Sequence, residues 1–283
     1  MAPHPTKHND MREIVREPAV AGRFYPANPE RLRTDIKSYL AAGLSSGKKM
    51  RAMACMVPHA GYMYSGQVAG AVFSPLELPG TCIVLGPNHT GRGHPLAIMN
   101  EGSWRTPLGE IPIDSDLAEK LIQEFPALSE DSAAHRSEHS IEVELPFLQV
   151  CRPDIKFVPI AIGTGQLILL EQLGQALAEV LNKTKDRALI VASSDMNHYE
   201  DDATTRVKDH KAIDKILALD APGLYQTVMN ESISMCGFGP AVAMLTAARR
   251  LGAQKAELVQ YATSADVSAD HKVAVGYAGI IIG

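Results

Sequence analysis

Short, wholly apolar strands that alternate with helical segments constrain this chain more than any other feature. Four of them stand out: 52–57, 81–86, 156–163 and 187–194. Each is too short to be a core helix, and none shows the polar alternation of a strand with one wet face. A strand apolar on both sides must be covered on both sides, which means an α/β sheet, parallel or mixed, flanked by helices. The intervening segments supply those helices. Leu32, Ile36, Tyr39 and Leu40 recur at helical spacing after Pro29. Further helices are expected at 66–73, at 117–125 with Asp114 or Ser115 as cap, and at 167–181, 205–219, 222–231 and 240–251. Strands at 257–263 and 273–282 close the chain. Pro159, inside the third strand, points to an edge position or a bulge. Residues 45–49 read as a loop. Residues 1–17 read as a mobile polar tail, and 18–283 as one α/β domain without repeats or an evident linker.

Composition narrows the function. Basic residues number 27 against 32 acidic, a formal charge of -5, and aromatics are 5%. Neither the basic surface of a nucleic-acid binder nor a set of stacking platforms is present. The N-terminus has no apolar stretch of the signal-peptide kind. The apolar run 273–283 is far short of the roughly 20 residues a membrane helix needs. Cys55, Cys82, Cys151 and Cys236 form no CxxC pair and suit a reducing compartment, so a cytoplasmic location is expected.

Ligands of open α/β sheets bind outside the carboxyl ends of the strands. Three apolar strands here run directly into His-bearing turns: Val57-Pro-His59-Ala-Gly-Tyr62, Leu85-Gly-Pro-Asn88-His89 and Ser193-Ser-Asp195-Met-Asn-His198. Singly, each His reads more readily as a cap or a surface residue than as a ligand. Together, on neighbouring strands, they would converge with Asp195 into two or three imidazoles and a carboxylate, a ligand set suited to non-haem iron. Cys236 stands in a glycine-flanked turn before the last helix. It is either a small residue in a tight turn or a thiol whose pKa the helix N-terminus lowers. His135-Arg-Ser-Glu138-His139 matches the inverted zinc-protease pattern, in which Glu138 would be the base on a helix. The alternative is that His139 and Glu142 form a pair that orients a ligand. Ser193 or Ser194 beside His198 lacks a G-x-S-x-G elbow, and no P-loop or dinucleotide loop is present. Glu200-Asp201-Asp202 reads as a solvated acidic turn.

Six stretches in this order resemble the MEMO family, whose prokaryotic members are called AmmeMemoRadiSam system protein B. They are Ala19-Val-Ala-Gly-Arg-Phe-Tyr-Pro26, Pro58-His-Ala-Gly-Tyr62, Gly86-Pro-Asn-His89, Glu138-His-Ser-Ile-Glu142, Ser193-Ser-Asp-Met-Asn-His198 and Cys236-Gly237. The resemblance runs from about residue 18 to the C-terminus. It implies a single α/β domain similar to class III extradiol (LigB-type) dioxygenases. It also implies a pocket of His59, His89, Asp195, His198 and Cys236. Within that pocket His59, His89 and Cys236 would hold iron or copper, His198 would act as base assisted by Asp195, and Asn88, Tyr62, His139 and Glu142 would line the site. Class III dioxygenases use two His and a Glu, so Cys236 departs from their ligand set. The implied partners are a small-molecule substrate or a peptide, with a functional link to radical SAM and AMMECR1-like proteins. The implied function is a metal-dependent oxidoreductase, or else a non-catalytic binding module on the same scaffold.

Overall fold

The order of strands in the sheet decides whether the His-bearing turns can meet. The computed structural model describes residues 14–43 and 49–283. In chain order its elements are β1 (Val15–Arg16), α1 (Pro29–Ala42), β2 (Ala54–Val57), α2 (Tyr62–Phe73), β3 (Thr81–Pro87), β4 (Leu96–Ile98), β5 (Ser103–Thr106), β6 (Gly109–Pro112), α3 (Ser115–Glu124), β7 (Ser129–Glu130), α4 (Leu145–Cys151), β8 (Lys156–Ile162), α5 (Leu167–Lys183), β9 (Ala188–Ser193), α6 (Asp202–Leu217), α7 (Ala221–Asn230), α8 (Phe238–Arg250), β10 (Ala256–Thr263), α9 (Ala265–Ser268) and β11 (Gly276–Ile282). Eight strands form one sheet in the order β10-β11-β2-β9-β3-β8-β4-β7. The central four, β2, β9, β3 and β8, are parallel. β11 runs antiparallel to β2, and β4 antiparallel to β8, so the sheet is mixed.

Period-two alternation sends each strand's side chains to two separate cores. Ala54, Met56, Ile83, Leu85, Val158, Ile160, Ile190 and Ala192 face one side, under α3, α5, α6, α7 and α8. Cys55, Val57, Cys82, Val84, Phe157, Leu189 and Val191 face the other, under α1, α2 and α4. Burial pushes the Cys55 thiol well up and the Cys82 thiol up to about 12, so both are inert packing groups. Among the described residues, no helix is long and apolar enough to cross a membrane.

The helix ends follow the expected chemistry. Asp114 caps α3, and Asp201 caps α6 by accepting from Thr204 N–H. The acidic turn 200–202 is therefore not simply solvated. Glu200 accepts from Asn197 and Lys208, and Asp202 binds Arg206, Thr263 and His271. Pro159 lies at neither an edge nor a bulge, because β8 sits between β3 and β4. Ile162 O accepts from Asn88 on the β3 side, and Phe157 O from Asp114 on the other. Pro159 shares the Phe157 side, where the β4 ladder starts only at Ile160. Its missing N–H therefore interrupts neither ladder.

The expected tail is shorter at its inner end. Residues 1–13 lie outside the described residues, but Val15–Arg16 pair with Ser103–Trp104 of a small second sheet, β1-β5-β6. Arg16 is buried, its guanidinium 4.2 Å over the Trp104 ring. The carboxylate it pairs with is Glu142. The loop expected at 45–49 is likewise almost entirely outside the described residues.

Candidate metal centre

β2, β9 and β3 are neighbours in that order and parallel, so the turns after Val57, Ser193 and Pro87 open at one end of the sheet. His59 follows β2, fully enclosed at 2% exposure. His89 follows β3 on a turn built by Asn88, whose side-chain oxygen accepts from Thr90 N–H and Gly91 N–H. Asn88 thus shapes the His89 turn. A third imidazole arrives from outside the sheet. His139 stands on the turn between two 3-10 segments, Ser132–Ala134 and Glu142–Glu144. One ligand-capable nitrogen from each of His59, His89 and His139 lies within 4.8 Å of the other two. The His89 and His139 rings stack at 4.6 Å, and His59 meets both edge-on.

Each ring is fixed from behind. His89 Nδ1 is 2.9 Å from Glu138 Oε1, and the same carboxylate accepts His89 N–H, His139 N–H and Ser140 N–H. Burial alone would raise the Glu138 carboxyl, but the His89 hydrogen bond and charge and the Ser140 N–H hold it down at about 2. His139 Nδ1 is 3.3 Å from the same oxygen. His59 Nδ1 is 2.8 Å from Ser193 Oγ. Burial, then the neighbouring His139, His89 and His198, push His59 well below its ordinary pKa, so its ring is neutral. Burial lowers His139 as well. A carboxylate or hydroxyl behind a neutral imidazole, with the far nitrogen turned inward, is how metal-binding His is oriented.

Cys236 reaches the centre: its Sγ is 3.3 Å from His59 Nε2. Its position just before α8, with Gly237 as the N-cap residue, matches the sequence expectation. The expected low pKa does not. Burial and the nearby Asp195 carboxyl push the thiol well above its usual value, outweighing the helix N–H groups. Without a metal, the sulfur therefore stays protonated.

Other expected roles change. Asp195 does not face His198; its carboxylate accepts His59 N–H at 2.8 Å, and burial pushes it up to about 7. His198 is set by Ser234, whose carbonyl lies 3.0 Å from Nδ1. Glu142 does not pair with His139. It accepts from Arg16, Ala19 N–H, Val20 N–H and Tyr25, which pins the N-terminal segment. Tyr62 is a core residue whose hydroxyl donates to Val143 O at 2.7 Å. The H-x-x-E-H stretch forms turns and not a helix, and His135 packs against Trp104 away from the cluster. That removes the zinc-protease reading, which needs both His on one helical face.

Comparison with known proteins places the chain in a family. Residues 16–281 match the family described as Memo-like protein. The chain belongs to the Memo-like family. A MEMO1 family protein of Methanopyrus kandleri is 41% identical over 279 residues, covering 95% of this chain and 99% of that one. Another, from Methanosarcina mazei, is 42% identical over 269 residues at the same coverages. The crystal structure of an uncharacterized protein from Escherichia coli K12 superposes with a TM-score of 0.54 over 80% of this chain and 99% of that one. At 14% identity it speaks for the fold alone.

The fold of this Memo-like chain is as expected, while the set of candidate metal ligands it brings together is wider. His139, expected to line the site or orient a ligand, stands with His59 and His89 as a third candidate ligand, and Cys236 touches one of the three. Glu138 and Ser193, which orient the rings, went unassigned in that role. The H-x-x-E-H pattern marked Glu138 only as a catalytic base, and nothing local marked Ser193 as an imidazole partner.

Proposed function

We propose that this chain is a metal-dependent redox protein whose iron or copper ion is held by His59, His89 and His139, with the Cys236 sulfur adjacent. The carrying observation is the convergence of three imidazole nitrogens within 4.8 Å. It is supported by the outer nitrogens of His59 and His89 tied to Ser193 and Glu138. The donor set fits: imidazole suits iron and copper, and a nearby thiol inclines the site toward softer ions. When bound, such an ion supplies one-electron chemistry and open positions for a small reduced substrate. The protein's part is orientation and proton transfer. Ser234 O can only accept, so His198 Nδ1 carries the proton and Nε2 is left free as a base. Burial holds His198 below its ordinary pKa, which keeps that base neutral. Four unpaired cysteines support a cytoplasmic setting.

Metal analysis by elemental mass spectrometry, on untagged protein purified anaerobically, tests the site. The expected result is near-stoichiometric iron or copper in wild type and none in His59→Ala or His139→Ala. Metal retained by folded His59→Ala removes the reading. A second reading, a module that holds a metal, peptide or metabolite without turnover, is favoured by the enclosed thiol beside His59. Oxygen uptake with reduced small molecules separates the two, because only the enzyme consumes oxygen catalytically. The link to radical SAM and AMMECR1-like proteins is supported by the family resemblance alone.

A further inference from the structure

Behind His59 lies a buried acid that the metal-binding reading does not use. Glu144 is fully enclosed. Its Oε1 is 3.1 Å from Ser193 Oγ, and its Oε2 is buried without a hydrogen-bond partner among the described residues. Ser193 Oγ also lies 2.8 Å from His59 Nδ1 and 2.7 Å from Ser140 O. A serine hydroxyl has one proton to give and two lone pairs to receive with. The Ser140 carbonyl can only accept, so that proton goes to Ser140. Both remaining contacts must then donate to Ser193. His59 Nδ1 carries its hydrogen, and Glu144 Oε1 carries one too.

We infer that Glu144 is a permanently protonated carboxylic acid that acts through Ser193 as a positioning residue, locking His59 in the tautomer whose Nε2 lone pair faces the metal centre. The rest of the surroundings agrees. An orphan oxygen is tolerable on a neutral acid and very costly on a carboxylate. Among the described residues no Lys, Arg or His makes an ion pair with Glu144, and burial pushes its pKa well up. At the far end of the ring, the Cys236 sulfur lies 3.3 Å from His59 Nε2. The acid, hydroxyl and imidazole therefore form one consistently directed set.

The inference rests on the proposed metal site for its purpose but not for its test. Difference infrared spectroscopy on metal-free protein at neutral pH should show a carboxylic-acid carbonyl band in wild type that Glu144→Gln removes. Nitrogen NMR should show the His59 resonance, assigned as the one lost in His59→Ala, protonated at Nδ1. No band lost on substitution, or His59 protonated at Nε2, overturns the inference, and the NMR needs only wild-type protein should Glu144→Gln fail to fold. Metal affinity then reads the consequence. Glu144→Leu should weaken binding about tenfold, whereas Glu144→Gln, whose amide can still donate to Ser193, should stay within about threefold of wild type. A band and tautomer as expected in a protein that binds no metal would retain the Glu144 assignment and remove the metal reading instead.

Discussion

At the scale of single residues, burial outweighs the local signals on which a sequence reading depends. Cys236 has the helix N-terminus that should lower a thiol pKa, yet enclosure beside Asp195 raises it. Glu138 shows the opposite balance: enclosure would raise it, but it accepts three backbone N–H groups and faces His89. Its folded pKa of about 2 lies below the ordinary 4.5. The stability it contributes is therefore complete above pH 4.5 and lost as pH falls toward 2. The shift corresponds to about 3 kcal/mol. Glu138→Gln should flatten the acid limb of the unfolding profile in that window. It should also weaken metal binding about tenfold or more, because the His89 and His139 rings lose their common anchor. An unaltered acid limb, with chelator competition matching wild type, would mean that Glu138 anchors nothing. His59, His89, Asp195, His198 and Cys236 were legible as strand-end and turn residues. The pairing of Glu142 with Arg16 was not, because 126 residues separate the partners and no local pattern encodes the contact.

At the scale of elements, the buried central strands were legible because an apolar run bounded by turn residues has few other uses. The short pieces were not: β1, β4 and β7 have two or three residues each, and their pairing is set by the elements around them. The placement of α8 shows how tightly an element end can be tied to the site. A Cβ on Gly237 would lie 2.4 Å from both Ser193 O and Ser194 Cβ. The strand that carries Ser193 and the turn that carries Cys236 can approach this closely only with glycine between them. Gly237→Ala must push α8 from the end of β9, at a cost of about 1–3 kcal/mol. Thermal unfolding should drop by several degrees, and copper, whose preference for sulfur makes it the ion most dependent on Cys236, should bind more weakly. A variant with wild-type melting temperature would show that the two segments have room to spare.

At the scale of the whole molecule, topology does what no single motif can. The strand order β2-β9-β3 sets His59 and His89 on either side of the β9 end, and the excursion through residues 131–144 returns His139 over the gap. A bound ion would therefore link β2, β3 and that excursion, three parts of the chain far apart in sequence. Binding to the folded state alone stabilises by about 2.7 kcal/mol at a free metal concentration one hundred times the dissociation constant. For a chain of this size that is a rise in melting temperature of about 4–5 °C. The rise should be absent in His59→Ala and in His139→Ala, since each removes one of the three links. Hydrogen exchange adds the spatial test. Metal should slow exchange together in the turns at 88–92 and 136–140, which share Glu138, while the far edge at β10 should not change. A thermal shift that survives in both variants, or protection confined to one turn, would place the ion somewhere other than the junction of these three segments.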